Sequence, residues 1–591
     1  MFGRGTKPRL PPFSTIMSPT AMPSAAPAGD SAYKWIALSN TTLGVLAATI
    51  NSSILLISLP AVFRGIHLDP LRPENINYLL WTIMGYLVAT SVLVVTFGRL
   101  GDTFGRARMY NLGFLIFTLT AAALSYIPGE GATAATYLIV VRIIQGVGGA
   151  LLMANASAIL TDAFPQHQRG LALGINTIAG IGGSFIGLIV GGLLADIDWR
   201  AIFWVNVPIG IAGTAWAYWK LTDTRPPRHE KMDWLGNLTF ALGLILILTG
   251  INEGIQPFGA AVMSWGSPAV LGMLLGGVVL LVAFVFVEKR AARPMFDLKL
   301  FRIRPFAFGS LASLLSAIGR GGLQFMLIVW LQGVWLPLHG YSFEETPLWA
   351  GIFMLPLTVG FLVAGPVSGW LTDHIGARPF ATGGMILGAI SFAALMFLPA
   401  NFAYWLFAFL IFLNGIGSGL FSAPNSTQIM NSVPPSERGQ ASGMRATTMN
   451  AGMVLSIGVF FSLMIVGLAS TLPTTMKTAL IGQGVPAVVA ERAAEAPPVA
   501  SLFAAFLGYN PMAELIPEDQ LKMLPPANAA TITGKHFFPD LISGPFMHGL
   551  AFAFTFSLIL YLLAAIASWL GGGKYVHEEA PAGDALPAPG E

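Results

Sequence analysis

The chain has no cysteine among its 591 residues, which excludes disulfide frameworks, thiolate metal sites and thiol nucleophiles. Charge is scarce too. Asp, Glu, Lys and Arg make up 10% of the residues, against about a quarter in an ordinary water-soluble domain. With 54% of the residues hydrophobic, a soluble fold is excluded. The eight histidines (His67, His167, His229, His339, His374, His536, His548 and His577) fall in loops or at span ends without ligand-like spacing, and no paired acids lie within a span. Neither a metal centre nor convergent acid–base groups are expected, which argues against a membrane-embedded transferase or any other enzyme.

Glycine and apolar length are abundant. Runs of about 20 apolar residues recur along the chain, the length a helix needs to cross a bilayer, and they lack the shorter alternation of a membrane barrel. Sixty-seven glycines suit helices that approach one another closely inside a bilayer. Hydropathy places spans at about 36–62, 77–98, 109–127, 136–161, 171–195, 201–221, 234–252 and 267–287. Six more fall at about 306–336, 348–371, 379–398, 402–425, 444–470 and 545–570. The fold expected is an all-α integral membrane protein.

Roughly 21 of the 31 basic residues fall on one side if the N-terminus is cytoplasmic, as positive charge retained inside during insertion requires. The strongest contributors are Arg99, Arg106 and Arg108; Lys220, Arg225, Arg228 and Lys231; and Lys289, Arg290, Arg293, Lys299, Arg302 and Arg304. The net charge of +3 therefore reflects topology and not a nucleic-acid partner. Both termini are expected in the cytoplasm, in a cell membrane. The first residues, rich in Pro, Ser and Ala with Arg4, Lys7 and Arg9, lack the apolar core of a cleaved signal.

A repeat organises the chain. Gly146, Gly148, Pro165, Arg169, Gly170 and Gly174 recur 269 residues later as Gly415, Gly417, Pro434, Arg438, Gly439 and Gly443. Gly98, Leu100, Asp102 and Gly105 recur 271 residues later as Gly369, Leu371, Asp373 and Gly376, and Arg106 and Arg108 find a basic counterpart in Arg378. One duplication of about six spans accounts for both series, and it implies a two-fold axis along the membrane normal with a cavity between the halves. The expected division is a disordered tail over 1–34, a six-helix half over 35–222, two extra helices and a linker over 223–304, a second six-helix half over 305–570, and a tail over 571–591. The second half contains a long extracellular loop at 471–543 with Ala-rich, helix-forming stretches from Val485 to Leu507, open to two readings: a tolerated insertion or a lid on the outer vestibule.

On these residues, and on those that follow, the chain resembles the major facilitator superfamily over nearly all of 35–570, and within it the fourteen-spanner drug:proton antiporter family. Gly98-Arg-Leu-Gly-Asp102-Thr-Phe-Gly105-Arg106-Ala-Arg108 matches the superfamily's loop motif. Its glycines permit a tight turn, Asp102 can meet a helix N-terminus, and the arginines can pair with acids of the opposing half. Gly98, Asp102, Gly105, Arg106 and Arg108, with Gly369, Asp373, Gly376 and Arg378, are thereby expected to form a conformational latch. Trp199-Arg200-Ala-Ile-Phe203-Trp204-Val-Asn206-Val-Pro208-Ile-Gly210 is similar to the segment that opens span six in the family.

Arg142, with Gln145, Gly146, Gly148 and Gly149, matches the family's span-four motif, where the resemblance implies proton coupling. Asp162 and Asp102 are further candidates for carrying the proton. Gly183, Gly187 and Gly191 line one helix face, as close packing needs, but Leu188 stands where the family usually has proline. Asn51 stands where an aspartate is common, and an amide takes up no proton near neutral pH.

What the resemblance implies is alternating-access export of amphipathic small molecules (drugs, lipids or secondary metabolites) in exchange for protons, by a monomer in a lipid bilayer, with no cofactor beyond the proton gradient and no metal. A passive facilitator or a non-transporting sensor on the same fold is the alternative. The acids lie near span ends, whereas Arg142, Arg320 and, nearer an end, Arg445 lie inside spans, so the substrate expected is neutral or anionic. Asn51, Gln145, Asn155, Asn176, Arg320, Gln324, Gln332, Asn414 and Asn425 are the candidates for lining the cavity. Any one of the amides can equally serve as a helix-to-helix hydrogen bond.

Overall fold

A computed structural model describes residues 32–572 except 70–71, 73–74, 166–167, 224–232, 259–260, 292–293, 295 and 435–436. Most of the two expected tails, with Arg4, Lys7 and Arg9, and the basic residues Arg225, Arg228, Lys231 and Arg293 lie outside the described residues, as do the side chains of Arg169, Gly170, Asp373, Arg438 and Gly439.

Fourteen helices among the described residues are long and apolar enough to cross a membrane. Spans 1 to 6 are Tyr33–Gly65, Ile76–Phe104, Arg106–Ser125, Gly131–Ala163, Ala172–Ile197 and Ala201–Lys220. Spans 7 and 8 are Trp234–Gly254 and Pro268–Arg290. Spans 9 to 14 are Arg304–Leu338, Thr346–Thr372, Ala377–Leu395, Tyr404–Asn431, Gln440–Gly482 and Phe537–Leu570. An even number of crossings returns the chain to the face on which it began. We call that the termini face and its opposite, which carries residues 483–536, the loop face.

Span 13 runs well past the end that hydropathy suggests. Its extra turns carry four threonines and Lys477, but Leu472, Met476 and Leu480 are buried at four-residue steps, so one stripe packs on the chain that follows. Hydropathy reports what fits in lipid, not where a helix stops. Span 9 contains a π-helical turn at Leu331–Trp335, and span 10 is interrupted at Met354 between Thr346–Phe353 and Leu355–Ile375.

The two halves share one scheme of neighbours. Span 1 packs on span 5 and span 9 on span 13; span 2 packs on span 4 and span 10 on span 12; span 3 touches spans 4 and 6, and span 11 touches spans 12 and 14. The repeated glycines explain why. A Cβ on Gly146 would stand 2.7 Å from the Tyr86 carbonyl oxygen, and one on Gly415 2.0 Å from that of Leu357. One on Gly148 would lie 3.0 Å from the Gly113 oxygen, and one on Gly417 2.6 Å from the Gly384 oxygen. The duplicated positions are those at which two helix backbones touch. Gly105 and Gly376 serve the turns: their φ angles of 107° and 101° belong to a region that disfavours side chains. Spans 7 and 8 pack on each other, and span 7 leans on spans 2 and 13, one from each half.

Candidate functional site

Between the halves lies a cavity of about 90 Å³ walled by Ser52, Leu55 and Leu56 of span 1, Ile83, Tyr86 and Leu87 of span 2, Arg142 of span 4, Gly321, Gln324 and Phe325 of span 9, and Ile457 of span 13. Span 4 can bring Arg142 here because Gly146 and Gly149 let it close on Tyr86; a Cβ at Gly149 would stand 2.6 Å from the Tyr86 hydroxyl. Arg142 is 2% exposed. Its guanidinium donates to Gln145 Oε1 over 3.0 Å and sits 4.7 Å from the centroid of the Tyr86 ring, a cation–π arrangement. The same Gln145 oxygen accepts from Asn51 Nδ2 over 3.0 Å. Arg142 Nε, Gln145 Nε2, Asn51 Oδ1 and the Tyr86 hydroxyl are buried with no hydrogen-bond partner among the described residues.

Of the residues expected at the cavity, Gln324 lines it, and Asn51 and Gln145 stand behind its wall, bonded to Arg142, the proton-coupling candidate, through the Gln145 oxygen. The others serve elsewhere. Asn155 donates to the Leu151 carbonyl over 2.9 Å and fills the space left by Gly101 of span 2. Asn425 donates to Ser313 Oγ over 2.7 Å and to the Gly309 carbonyl over 3.1 Å, tying span 12 to span 9. Asn414 is fully buried and its amide has no hydrogen-bond partner. Asn176 is 9% exposed on the termini-face half of span 5, and Arg320 lies 5.6 Å from the Phe361 ring centroid. Sequence reading missed Tyr86, Phe325 and Ile457, because an aromatic or aliphatic residue in a span carries no mark of which helix it will face.

At the termini face the loop motif is an ion cluster. Arg106 contacts Asp102 and Asp162, each at 2.6 Å, and donates to the Ala158 carbonyl over 3.1 Å; Arg108 approaches Asp223 to 3.9 Å. All these partners belong to the arginines' own half, so the expected pairing across the halves is replaced by clamps joining spans 2, 3, 4 and 6. In the second half Arg378 lies 3.7 Å from the Trp569 ring centroid, a cation–π contact. The Pro294 carbonyl bridges the halves here, accepting from both Arg99 and Gln440.

At the loop face the halves are sealed. Span 5 lies against span 1 through Gly183, Gly187 and Gly191, where a Cβ on Gly187 would stand 2.7 Å from the Ile50 oxygen. Its next residue after that stripe, Gly192, meets the Leu348 backbone of span 10, and the Leu188 carbonyl faces Gly351. Span 5 is one unbroken helix through Leu188. Gln332, within the π turn, donates to the Ile57 carbonyl over 3.1 Å. Above this seal the chain between spans 13 and 14 folds into short helices, of which Pro498–Phe506 is buried at every residue. Phe506 meets Phe325 edge-on with centroids 5.5 Å apart, and Phe503 stacks on Phe461 at 5.5 Å. Gly333 of the π turn abuts Ala505, and Arg64 donates to the Leu507 carbonyl over 3.4 Å.

Known proteins bear out the resemblance. The family model for the Major Facilitator Superfamily matches residues 41–457 and 307–576. The chain is 27% identical to the tetracenomycin C resistance and export protein of Streptomyces glaucescens over 558 residues, covering 94% of each chain. It is 32% identical to the cephamycin export protein of Amycolatopsis lactamdurans over 436 residues, covering 71% of this chain and 84% of that protein. A bacterial homolog of the human lysosomal transporter Spinster, solved inward-facing and unoccupied, shares the fold with a TM-score of 0.53 at 15% identity, covering 91% of this chain and 98% of the other. With fourteen spans among its described residues, a duplicated helix scheme and export proteins among its relatives, this chain is a multi-pass membrane transporter, not an enzyme, and belongs to the Major Facilitator Superfamily.

Proposed function

We propose that the protein is a proton-coupled exporter of amphipathic small molecules that works as a monomer by alternating access, with the termini face in the cytoplasm of a cell-membrane protein. The cavity walled by both halves carries this reading. At about 90 Å³ it is far smaller than the roughly 300–1,000 Å³ of sites that enclose drug-sized ligands, so a substrate enters only when the halves move apart. Opening toward the loop face breaks the Gln332–Ile57 bond and the contacts of span 5 with span 10, and it requires Pro498–Phe506 to leave its seat. The loop acts as a lid in this reading: an insertion of no consequence would not bury every side chain of one helix against the transport bundle.

Asn51 and Arg142 supply no carboxylate, so the proton is assigned to the termini-face cluster. Protonation of Asp162, whose side chain is 6% exposed, removes one of the two negative charges that hold Arg106 and loosens the joint of spans 2, 3 and 4. The export that two relatives' names give, of tetracenomycin C and of cephamycin, supports the direction of transport. Flux of a fluorescent amphipath into inside-out proteoliposomes, with and without an imposed pH gradient, tests the proposal. Accumulation against a gradient is the expected result; equilibration alone, unaffected by the pH gradient, would assign the protein to passive facilitators.

A further inference from the structure

The charge on the cavity wall says what kind of molecule the exporter carries. Arg142 is the charged side chain on that wall, and no Asp or Glu lines it among the described residues. Its contacts, an amide oxygen and a tyrosine ring, bring no formal negative charge. A guanidinium inside a span is costly unless something compensates it. An arriving anion relieves that cost, and an arriving cation adds to it. A second observation points the same way: two of the buried polar atoms here that lack partners, Arg142 Nε and Gln145 Nε2, are both N–H donors, which an anion's oxygens would satisfy. The other two are the Tyr86 hydroxyl, which can donate or accept, and Asn51 Oδ1, on the residue that sets the charge.

Resting on the export reading above, we infer that the cavity takes the anionic head of an amphipathic acid, a carboxylate or sulfonate, on Arg142, and that the neutral amide of Asn51 is what leaves that arginine free to accept it. Asn51 and Arg142 donate to the same oxygen of Gln145, so Asn51 stands one side chain away from the guanidinium. A carboxylate of the same shape at that position would compensate Arg142 within the protein and remove the demand for an anionic ligand. The space fits this division of labour: about 90 Å³ admits a head group, and Leu55, Leu56, Ile83, Leu87 and Ile457 offer an apolar wall to the start of a tail.

The test uses the full-length protein in phosphatidylcholine nanodiscs, titrated with dansyl-undecanoate, its methyl ester and the analogue ending in trimethylammonium. The acid is expected to bind at least about tenfold more tightly than the ester, with the cation weakest. Arg142→Lys keeps that order, Arg142→Gln lowers the acid to the level of the ester, and Asn51→Asp erases the preference of acid over ester. If a variant fails to fold, the wild-type ratio decides alone. An acid that binds no better than the ester, or a cation that binds best, overturns the inference.

Flux in proteoliposomes separates the two levels. Export of the ester or cation without preference for the acid sinks the anion site and leaves the exporter standing; export of none of the three removes both. Displacement of the acid by phosphatidylglycerol added to the nanodiscs assigns the anion to a membrane lipid, which upholds the charge assignment and changes only its source.

Discussion

Phe325 faces the cavity and also meets Phe506 of the loop helix edge-on, with ring centroids 5.5 Å apart. One side chain therefore joins the wall of the central cavity to the cover on the loop face. Phe461, stacked on Phe503, lies beside it at 5.0 Å. Any movement of span 9 that opens the cavity toward that face must disturb the seat of Pro498–Phe506.

Trimming this contact loosens the cover. The natural absence of cysteine allows Ser52→Cys to serve as a single reporter on the cavity wall. In that background Phe506→Ala is expected to speed labelling from the loop face by roughly threefold or more, since loss of a buried aromatic removes on the order of 3 kcal/mol of packing. Equal labelling rates with and without Phe506 would show that the loop does not cover the cavity.

The two acids on Arg106 are unequal. Asp162 is 6% exposed and Asp102 51%. Removing a partner of a buried ion pair costs about 3–5 kcal/mol, whereas an exposed pair contributes about 0–1 kcal/mol. Asp162→Asn is therefore expected to lower the melting temperature of the purified protein clearly and Asp102→Asn little. The reverse order in a thermal-shift measurement would discard the burial argument.

Glycines on span 5 divide by what faces them. Gly187→Val drives a side chain into the Ile50 backbone of span 1 and is expected to cost about 1–3 kcal/mol, seen as a lower melting temperature and weaker transport. Gly174→Ala meets nothing within 4 Å and gains helix propensity of up to about 1 kcal/mol. Its stability should hold or rise; a clear loss would reveal a neighbour at that site in another state of the cycle.

Gly105 joins spans 2 and 3 at a φ of 107°, and a Cβ there would stand 2.3 Å from Asp223 Oδ2. Gly105→Ala is expected to displace Asp223 from the Ala107 amide, which donates to it over 2.8 Å, and to reduce transport more than stability. Wild-type export by this variant would deny the motif glycine its part in the cycle.

Membrane embedding and helix number were legible in the sequence because both depend on a local sum, the apolar content of about 20 consecutive residues. The paired glycines were legible as a repeat because helix contact demands the same small residue in each copy, as Gly146 and Gly415 show. Arg142 was legible as a site because a charge in a span is conspicuous wherever the helix turns. Three-dimensional packing decided the rest. Nothing local told Asn51 and Gln145, which share the cavity network, from Asn155 and Asn425, which bind helices together, since an amide's role depends on the helix opposite. The same holds for Arg106, whose acids come from its own half, and for Pro498–Phe506, whose apolar side chains found a place between spans that lie far apart in the chain.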